Sequence, residues 1–382
     1  MEHELITTSE VSSYYWQNEP VVNCIETPPT NNLTLVDLFC GAGGLSKGFE
    51  MTGRFTPILG VDIFTSAMQT YKRNNPNTST ILGDIRKVTN EQFRAVINDR
   101  HVNVVAAGVP CQGFSISNRK RVENDARNFL FLEVIRFVNE FNPDVVVIEN
   151  VSGMRSLGNG QFIEAISEAL STSGTLGGYN VNHTFLNAAD FGVPQLRQRL
   201  FFVATKIELP NFLFPTPLYG DGTDRAYNTI RDAIGDLPRI QSGETTNIYN
   251  IQPQTEYQIL MRNDSTHLYN HVAPKHPIDT INRIANTPPG QPMYERFRQR
   301  IRLDWDMQSP TQLAGGIRPQ FQFGHPDIAR GLTVRERARI QSFPDDYEFL
   351  GGTVQGRVQT GNAVPPLLAK AIANSIINVL EN

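Results

Sequence analysis

The chain has 382 residues, 40% of them hydrophobic and 19% charged, with a formal net charge of -4; this is the composition of a soluble globular protein of one large or two ordinary domains, with no overall basic bias toward nucleic acid. There is no run of 18 or more apolar residues for a transmembrane helix, and the N-terminal "MEHELITTSEVSSYYWQNEP" has no apolar core for a secretory signal. Cys24, Cys40 and Cys111 are the only cysteines; their odd number and spacing argue against a disulfide framework and a structural zinc, so no metal is expected, and the location expected is reducing and cytoplasmic.

Residues 1–32 read as a polar N-terminal extension with no assignable role. From residue 33, "LTLVDLF", "TPILGVDIF", "VNVVAAG", "PDVVVIENV", "NHTFLNAADFG" and "RLFFVAT" predict strands, while "RNFLFLEVIRFVNEFN" and "GQFIEAISEALS" predict helices. Apolar runs alternating with helices predict an α/β fold built on a doubly wound, mostly parallel sheet. The pattern breaks after about Thr205, so a second, smaller domain is expected over residues 206–351. Within it "LTVRERARIQSF" predicts a helix entered through Thr333. The apolar "AVPPLLAKAIANSIINVL" predicts a helix packed back on the first domain, so that residues 352–382 complete a first domain of 33–205.

Chemistry gathers at the strand ends. In "DLFCGAGGLSKGF" a strand ending at Phe39 leads through a glycine loop into a helix near Gly44. Glycines let the backbone approach a ligand closely, and a helix N-terminus offers N–H groups to an anion. The spacing Gly41-x-Gly43-x-x-Ser46 departs from the dinucleotide fingerprint and also fits a plain tight turn. Asp62, followed by Ile63, ends the second strand, where a carboxylate can accept both hydroxyls of a ribose. Asp84 in "LGDI" follows the third and could accept an adenine amino group between apolar walls at Phe39 and Ile85. Both aspartates fit simple helix caps as well. Together these residues outline a site for an adenosine with a small anionic tail, such as S-adenosyl-L-methionine.

Cys111 follows Pro110 in "GVPCQGFSIS" at the end of the fourth strand, and Glu149 in "IENV" ends the fifth. Ligands bind at that edge of an open parallel sheet. A thiol and a carboxyl group there suit a nucleophile and a proton donor; a buried structural cysteine is the alternative. In "QLRQRLFFV", Arg197 and Arg199 alternate ahead of a strand and so point to one face. They would hold Glu149, a phosphate or a base there, or form an ordinary surface pair.

In this order, "DLFCGAGGLSKGF", "GVPCQGFSIS", "IENV", "QLRQRLFFVA", "RGLTVRERARIQSFPDDYEF" and "QTGNAVPPLLAKAIA" resemble the motifs of the bacterial-type DNA (cytosine-5-)-methyltransferases, over about residues 33–205 and 307–380. The resemblance implies that a cytosine is flipped out of duplex DNA and attacked at C6 by Cys111. Glu149 would hold and protonate N3, Arg199 would bind the base oxygen or fix Glu149, and Arg197 would stand beside it. It implies a cofactor site of Phe39, Gly41, Gly43, Gly44, Asp62, Ile63, Asp84, Ile85 and Pro110, with Asn362 and Val364 of "GNAVPP" lining the methionine end. It also implies a loop after Cys111 that meets DNA: Gln112 and Ser115, Ser117 filling the gap left by the base, and Arg119 and Arg127 on phosphates.

Residues 206–306 match no motif and occupy the interval of the family's target recognition domain. From Ile281 to Arg339 there are ten arginines against five acidic residues and no lysine. As a strand, "YERFRQRIR" would put Arg296, Arg298, Arg300 and Arg302 on one face, towards DNA or as an exposed basic edge. Arg318, Gln320, Gln322 and His325 in "GGIRPQFQFGHP" are further candidates for reading base edges. The implied partner is double-stranded DNA, with no membrane, a monomeric enzyme and a cognate restriction endonuclease as its functional counterpart. A tRNA-modifying relative and a non-catalytic DNA-binding homologue are the alternatives. The long variable segment favours a reader of duplex DNA, and the intact "PCQ" and "ENV" favour an enzyme.

Overall fold

A computed structural model of the chain describes residues 15–26, 30–110, 129–156, 160–174, 177–314 and 321–381, with 155 and 156 described by their backbone alone. Its strands are β1 (Val21–Asn23), β2 (Leu33–Leu38), β3 (Phe55–Asp62), β4 (Ser79–Leu82), β5 (Val104–Gly108), β6 (Val145–Val151), β7 (Tyr179–Asn187), β8 (Gln195–Leu196), β9 (Gln198–Lys206) and β10 (Ser309–Pro310). Eight of them form one sheet in the order β1-β4-β3-β2-β5-β6-β9-β7. The five central strands are parallel, and β1, β9 and β7 join antiparallel at the two edges.

The sheet is parallel at its centre because those strands are apolar along their whole length. Val104–Ala107 and Val145–Ile148 have no solvent exposure, as strands covered on both faces require. Helices α1 (Gly44–Glu50), α2 (Thr65–Asn74), α3 (Asn90–Ile97), α4 (Phe131–Phe141) and α5 (Gln161–Ser171) fall between strands of this sheet. In α4, Phe131, Val134 and Val138 recur at helical spacing and are buried, which gives the helix one apolar face for the sheet. The chain leaves β2 for β3 and β4 on one side and returns to β5 on the other. The order therefore reverses between β2 and β5, and in such sheets the crevice at that switch point takes the ligand.

The chain divides into two compact units. One runs up to Asn187, resumes over Gln198–Thr216 and again from Leu368; the other comprises Ala188–Arg197 and Pro217–Leu367. The second carries the β8–β10 pair and α6 (Ile230–Ile234), α7 (Glu256–Arg262), α8 (Ile278–Asn286), α9 (Val334–Ile340) and α10 (Thr353–Asn362). Its core includes Ile230, Ile234, Met261, Leu303, Phe323 and Ile340. Thr333 caps α9 through a reciprocal pair of bonds with Glu336, the geometry that a Thr three residues ahead of a Glu favours. The last helix, α11 (Pro366–Leu380), buries Leu368, Ile372 and Ile376 completely. Thr353–Leu380 is apolar enough by composition to cross a membrane, but more than half of the apolar window is buried inside the protein.

These boundaries differ from those expected at residues 205, 351 and 352. Residues 188–197 belong to the second unit because Gln195 bonds to the Gln341 side chain and accepts from the Gln312 N–H. Residues 352–367 belong there too, since the Arg337 guanidinium donates to the Arg357 carbonyl and to Thr360 in α10. Within the stretch before residue 33, β1 pairs with β4, and Tyr15 forms a bridge with Phe64.

Candidate active site

The glycine loop begins with strain. Phe39, a non-glycine residue, has φ 61°, Gly41 has φ 53° and Gly43 has φ 89°. Three left-handed residues in five turn the chain sharply from β2 into α1, and only glycine takes that conformation freely. The turn is held from the neighbouring strand: Gly41 N–H donates to Asp62 Oδ2 at 2.8 Å, and Phe64 N–H to Asp62 Oδ1 at 2.7 Å. Asp62 thus fastens two loops at the carboxyl edge. A Cβ placed on Gly41 would meet nothing within 4 Å, so open space lies beside the loop. Open space beside a glycine loop at the carboxyl edge fits a bound nucleoside.

Asp37, which the sequence reading did not single out, lies completely buried beneath this loop. Its Oδ2 accepts from Ser46 Oγ at 2.6 Å and from Ser46 N–H at 3.2 Å, and Oδ1 has no hydrogen-bond partner. Burial raises its pKa from 3.8 to about 7; the bonds from Ser46 oppose the rise and the charge of Asp62 adds to it. Burial likewise raises Asp62. A carboxyl group that holds its proton longer when folded makes the folded chain bind more protons than the unfolded one. Between pH 4 and 7 the contribution of Asp37 to stability therefore falls as pH rises. Thermal melts across that interval should show the wild type losing stability relative to Asp37→Asn as pH rises; a pH-independent difference would mean that Asp37 does not titrate there.

Asp84 is held by local partners. Its carboxylate accepts from the Arg86 N–H at 3.1 Å and forms a two-point contact with the Arg86 guanidinium, which lowers its pKa. It caps the short 3₁₀ turn Ile85–Lys87. Ile85 is buried, whereas Phe39 and Ile63 are half-buried.

Glu149 ends the central part of β6 and is 8% exposed. Arg199 Nε lies 2.9 Å from Glu149 Oε1. The register explains the contact: Glu149 stands opposite Phe201 and Val151 opposite Arg199, so Glu149 and Arg199 are diagonal neighbours on one face. Burial makes the Arg199 guanidinium easier to deprotonate and the Glu149 carboxylate opposes this. Gly108 in β5 pairs with Glu149, and a Cβ there would lie 3.7 Å from the Phe39 carbonyl and 3.9 Å from Glu149 Oε2. The ends of β2, β5 and β6 therefore meet at the switch point, with the glycine loop on one side of Gly108 and the carboxyl group on the other. Pro110, half-buried, follows two residues later. Cys111, Gln112, Ser115, Ser117, Arg119, Arg127, Arg318 and Gln320 lie outside the described residues.

Arg197 corrects its expected role. It is 1% exposed, and its guanidinium donates to the carbonyls of Gln312, Gly361 and Ala363. It fastens the backbone on either side of Asn362. Asn362 itself is exposed at the end of α10, and Val364 is buried.

The arginine-rich stretch is corrected as well. "YERFRQRIR" is an irregular turn, not a strand. Arg296 and Arg298 are exposed, but Arg300 is 1% exposed and lies over the Phe297 ring. Arg302 donates to the carbonyls of Pro326, Ile284, Ala285 and Thr287. Arg330 is paired with Glu336, and Arg339 with Asp236 and Asp345. Arg335 donates to the carbonyls of Tyr269, Pro344 and Tyr347. A completely buried guanidinium needs such partners to offset its desolvation, so most of the positive charge in this stretch is structural. Gln322 and His325 are buried too: Gln322 bonds to Leu313 and Thr311, and His325 Nδ1 accepts from two backbone N–H groups. No group of three or more potential metal ligands occurs among the described residues.

Comparison with known proteins adds the reaction to this geometry. Residues 33–378 match the family described as C-5 cytosine-specific DNA methylase. The Type II methyltransferase M.DdeI of Desulfomicrobium norvegicum is 38% identical over 381 residues, covering 92% of this chain and 90% of the relative. M1.HphI of Haemophilus parahaemolyticus is 36% identical, covering 92% and 88%. Among solved structures, an E. coli protein described as a prophage-encoded DNA modification methyltransferase superposes with a TM-score of 0.77 at 25% identity, covering 92% of this chain and 100% of its own. The S. pombe Dnmt2 methyltransferase, at 16% identity and a TM-score of 0.57, shares the fold. A glycine loop and a buried Glu–Arg pair at the switch point of a parallel sheet, in a chain matched from its first sheet motif to its last helix, make this protein a member of the C-5 cytosine-specific DNA methylases.

Proposed function

We propose that the protein transfers the methyl group of S-adenosyl-L-methionine to C5 of a cytosine flipped out of duplex DNA, through a covalent bond between Cys111 and C6. The observation that carries this reading is the Glu149–Arg199 pair, 2.9 Å apart and adjoining Gly108 and the glycine loop. The relatives' description as Type II methyltransferases supports a modification role. The enzyme would act as a cytoplasmic monomer, with a cognate restriction endonuclease as its functional counterpart.

Cytosine C5 is a poor nucleophile until the ring is made electron-rich. In the proposed reaction the Cys111 thiolate adds to C6, and the electron pair of the C5–C6 bond is taken up as N3 gains a proton from Glu149. Arg199 holds the Glu149 carboxyl group in the plane of the base. S-adenosyl-L-methionine would supply the electrophilic methyl group and leave as S-adenosylhomocysteine. Loss of the C5 proton to solvent then re-forms the C5–C6 double bond and expels the thiolate, while N3 returns its proton to Glu149, restoring the enzyme. Asp62 and the loop Gly41–Gly44 would hold the cofactor, with Phe39, Ile63 and Ile85 as apolar walls and Asn362 and Val364 at its methionine end. Pro110 would border the methyl group. Asp84 would reach the adenine while keeping its bond to Arg86. DNA would meet Gln112, Ser115, Ser117, Arg119, Arg127 and Arg318, and the exposed Arg296 and Arg298.

The test is transfer of labelled methyl from S-adenosyl-L-methionine to unmethylated duplex DNA, followed by sequencing that maps 5-methylcytosine. Modification at one short motif is the expected result. Transfer to tRNA and to no duplex would overturn the choice of DNA substrate.

A further inference from the structure

The stretch before the first sheet motif is folded onto two of the loops just described. Its strand β1 runs antiparallel to β4, with Val21 opposite Leu82. Immediately before β1, Pro20 lies against the turn after β4: a Cβ on Gly83 would come within 2.9 Å of Pro20 Cα. Close approach of one backbone to another is what a glycine there permits. Further back, Trp16 N–H donates to the Ile63 carbonyl at 2.8 Å. Tyr15 bridges Phe64, with the two rings 5.9 Å apart. The Trp16 indole closes the segment on itself by donating to the Glu19 carbonyl at 2.8 Å.

The two loops it touches are also tied to each other, Gly83 N–H donating to the Asp62 carbonyl at 3.0 Å. One of them carries Asp62 and Ile63; the other leads to Asp84 and Ile85. A single segment thus holds the residues on which the adenosine half of the proposed cofactor site depends. The contacts at its start are to the backbone and ring of the Asp62 loop, where small displacements would move the carboxylate.

We propose that residues 15–23 are a positioning segment for the nucleoside half of the cofactor site, with Tyr15 and Trp16 setting the affinity for adenosine by fixing the Asp62 loop. The inference rests on the S-adenosyl-L-methionine reading above. Its physical basis is preorganisation: a loop already ordered in its binding conformation loses less freedom when the ligand arrives. It explains why the segment pairs with the sheet edge next to the Asp62 and Asp84 loops.

Titration calorimetry of the full chain tests it with two probes, S-adenosylhomocysteine and 5′-methylthioadenosine, the second lacking the amino-acid end. In the double variant Tyr15→Ala/Trp16→Ala both dissociation constants should rise about tenfold, about 1.4 kcal/mol. The dissociation constant for duplex DNA should change less than about twofold, and Tyr15→Phe should bind both probes like the wild type. Tyr15→Ala alone should shift both in the same direction by a smaller factor, and it decides the matter where the double variant does not fold. Unchanged constants for both probes overturn the proposal. So does weakening confined to S-adenosylhomocysteine, which would put the effect at the amino-acid end, and so does equal weakening of cofactor and DNA binding, which would mark general destabilisation. Tighter binding in the variant would identify a cover instead of a support. A wild-type protein that binds neither probe would instead sink the cofactor reading itself.

Discussion

Replacing Cys111 by serine should abolish methyl transfer while leaving duplex DNA binding intact. The reaction proposed here begins with a sulfur nucleophile. A thiol with an ordinary pKa near 8.5 supplies some thiolate at neutral pH, whereas a serine hydroxyl supplies essentially no alkoxide. Without a nucleophile at C6, C5 is not activated and the methyl group has no acceptor. A loss of at least about 10⁴-fold in kcat is expected, equivalent to about 5 kcal/mol of barrier. The affinity for DNA rests on phosphate and base contacts that the substitution does not touch. Methyl transfer and gel-shift affinity measured on one preparation check both halves. A serine variant that turns over at the wild-type rate would end the covalent mechanism; one that loses DNA binding in proportion would point to a role for Cys111 in holding the substrate.

Glu149→Gln should be nearly as severe. Glutamine keeps the shape and can still accept from Arg199, but it has no proton to give to N3. General acid catalysis by a positioned side chain typically contributes about 10²–10⁴-fold, and a loss of kcat in that range is expected with little change in the affinity for DNA. Single-turnover rates at saturating cofactor and DNA separate the chemical step from release of products. A glutamine variant within tenfold of the wild type would remove Glu149 from the proton transfer. Arg199→Ala is a less clean probe, because the guanidinium is itself largely buried and lies 2.9 Å from Glu149, and removing one member of a buried pair can destabilise the fold as well as the reaction.

Both substitutions concern residues legible in the chain as text. Pro110, Cys111 and Glu149 stand at the ends of apolar runs, and a run that is apolar throughout is a buried parallel strand whose carboxyl end faces the ligand edge. The glycine loop was legible for a similar reason: closely spaced glycines after a strand mark a turn that other residues resist, and Gly41 and Gly43 do adopt positive φ. These signals are local, so a linear reading finds them. Arginine was different. Arg296, Arg298, Arg300 and Arg302 look equivalent in sequence, yet two are exposed and two are spent on rings and carbonyls. Arg197 and Arg199, one residue apart from alternation, hold respectively a set of backbone carbonyls and Glu149.

The sequence by itself determined the α/β class, the parallel centre of the sheet, the order of the motifs and the identity of the carboxyl group at the end of β6, because each follows from hydrophobic pattern and turn chemistry within a short stretch. Only the tertiary structure decided which charges are available and where residues 15–26 pack. Arg339 finds Asp236 from 103 positions away, and Trp16 meets Ile63 through a backbone bond that no side-chain pattern records. The sign of a charge is written in the chain, but its partner and its exposure are set by contacts between distant segments, and a buried ion pair and a surface ligand for DNA use the same residue.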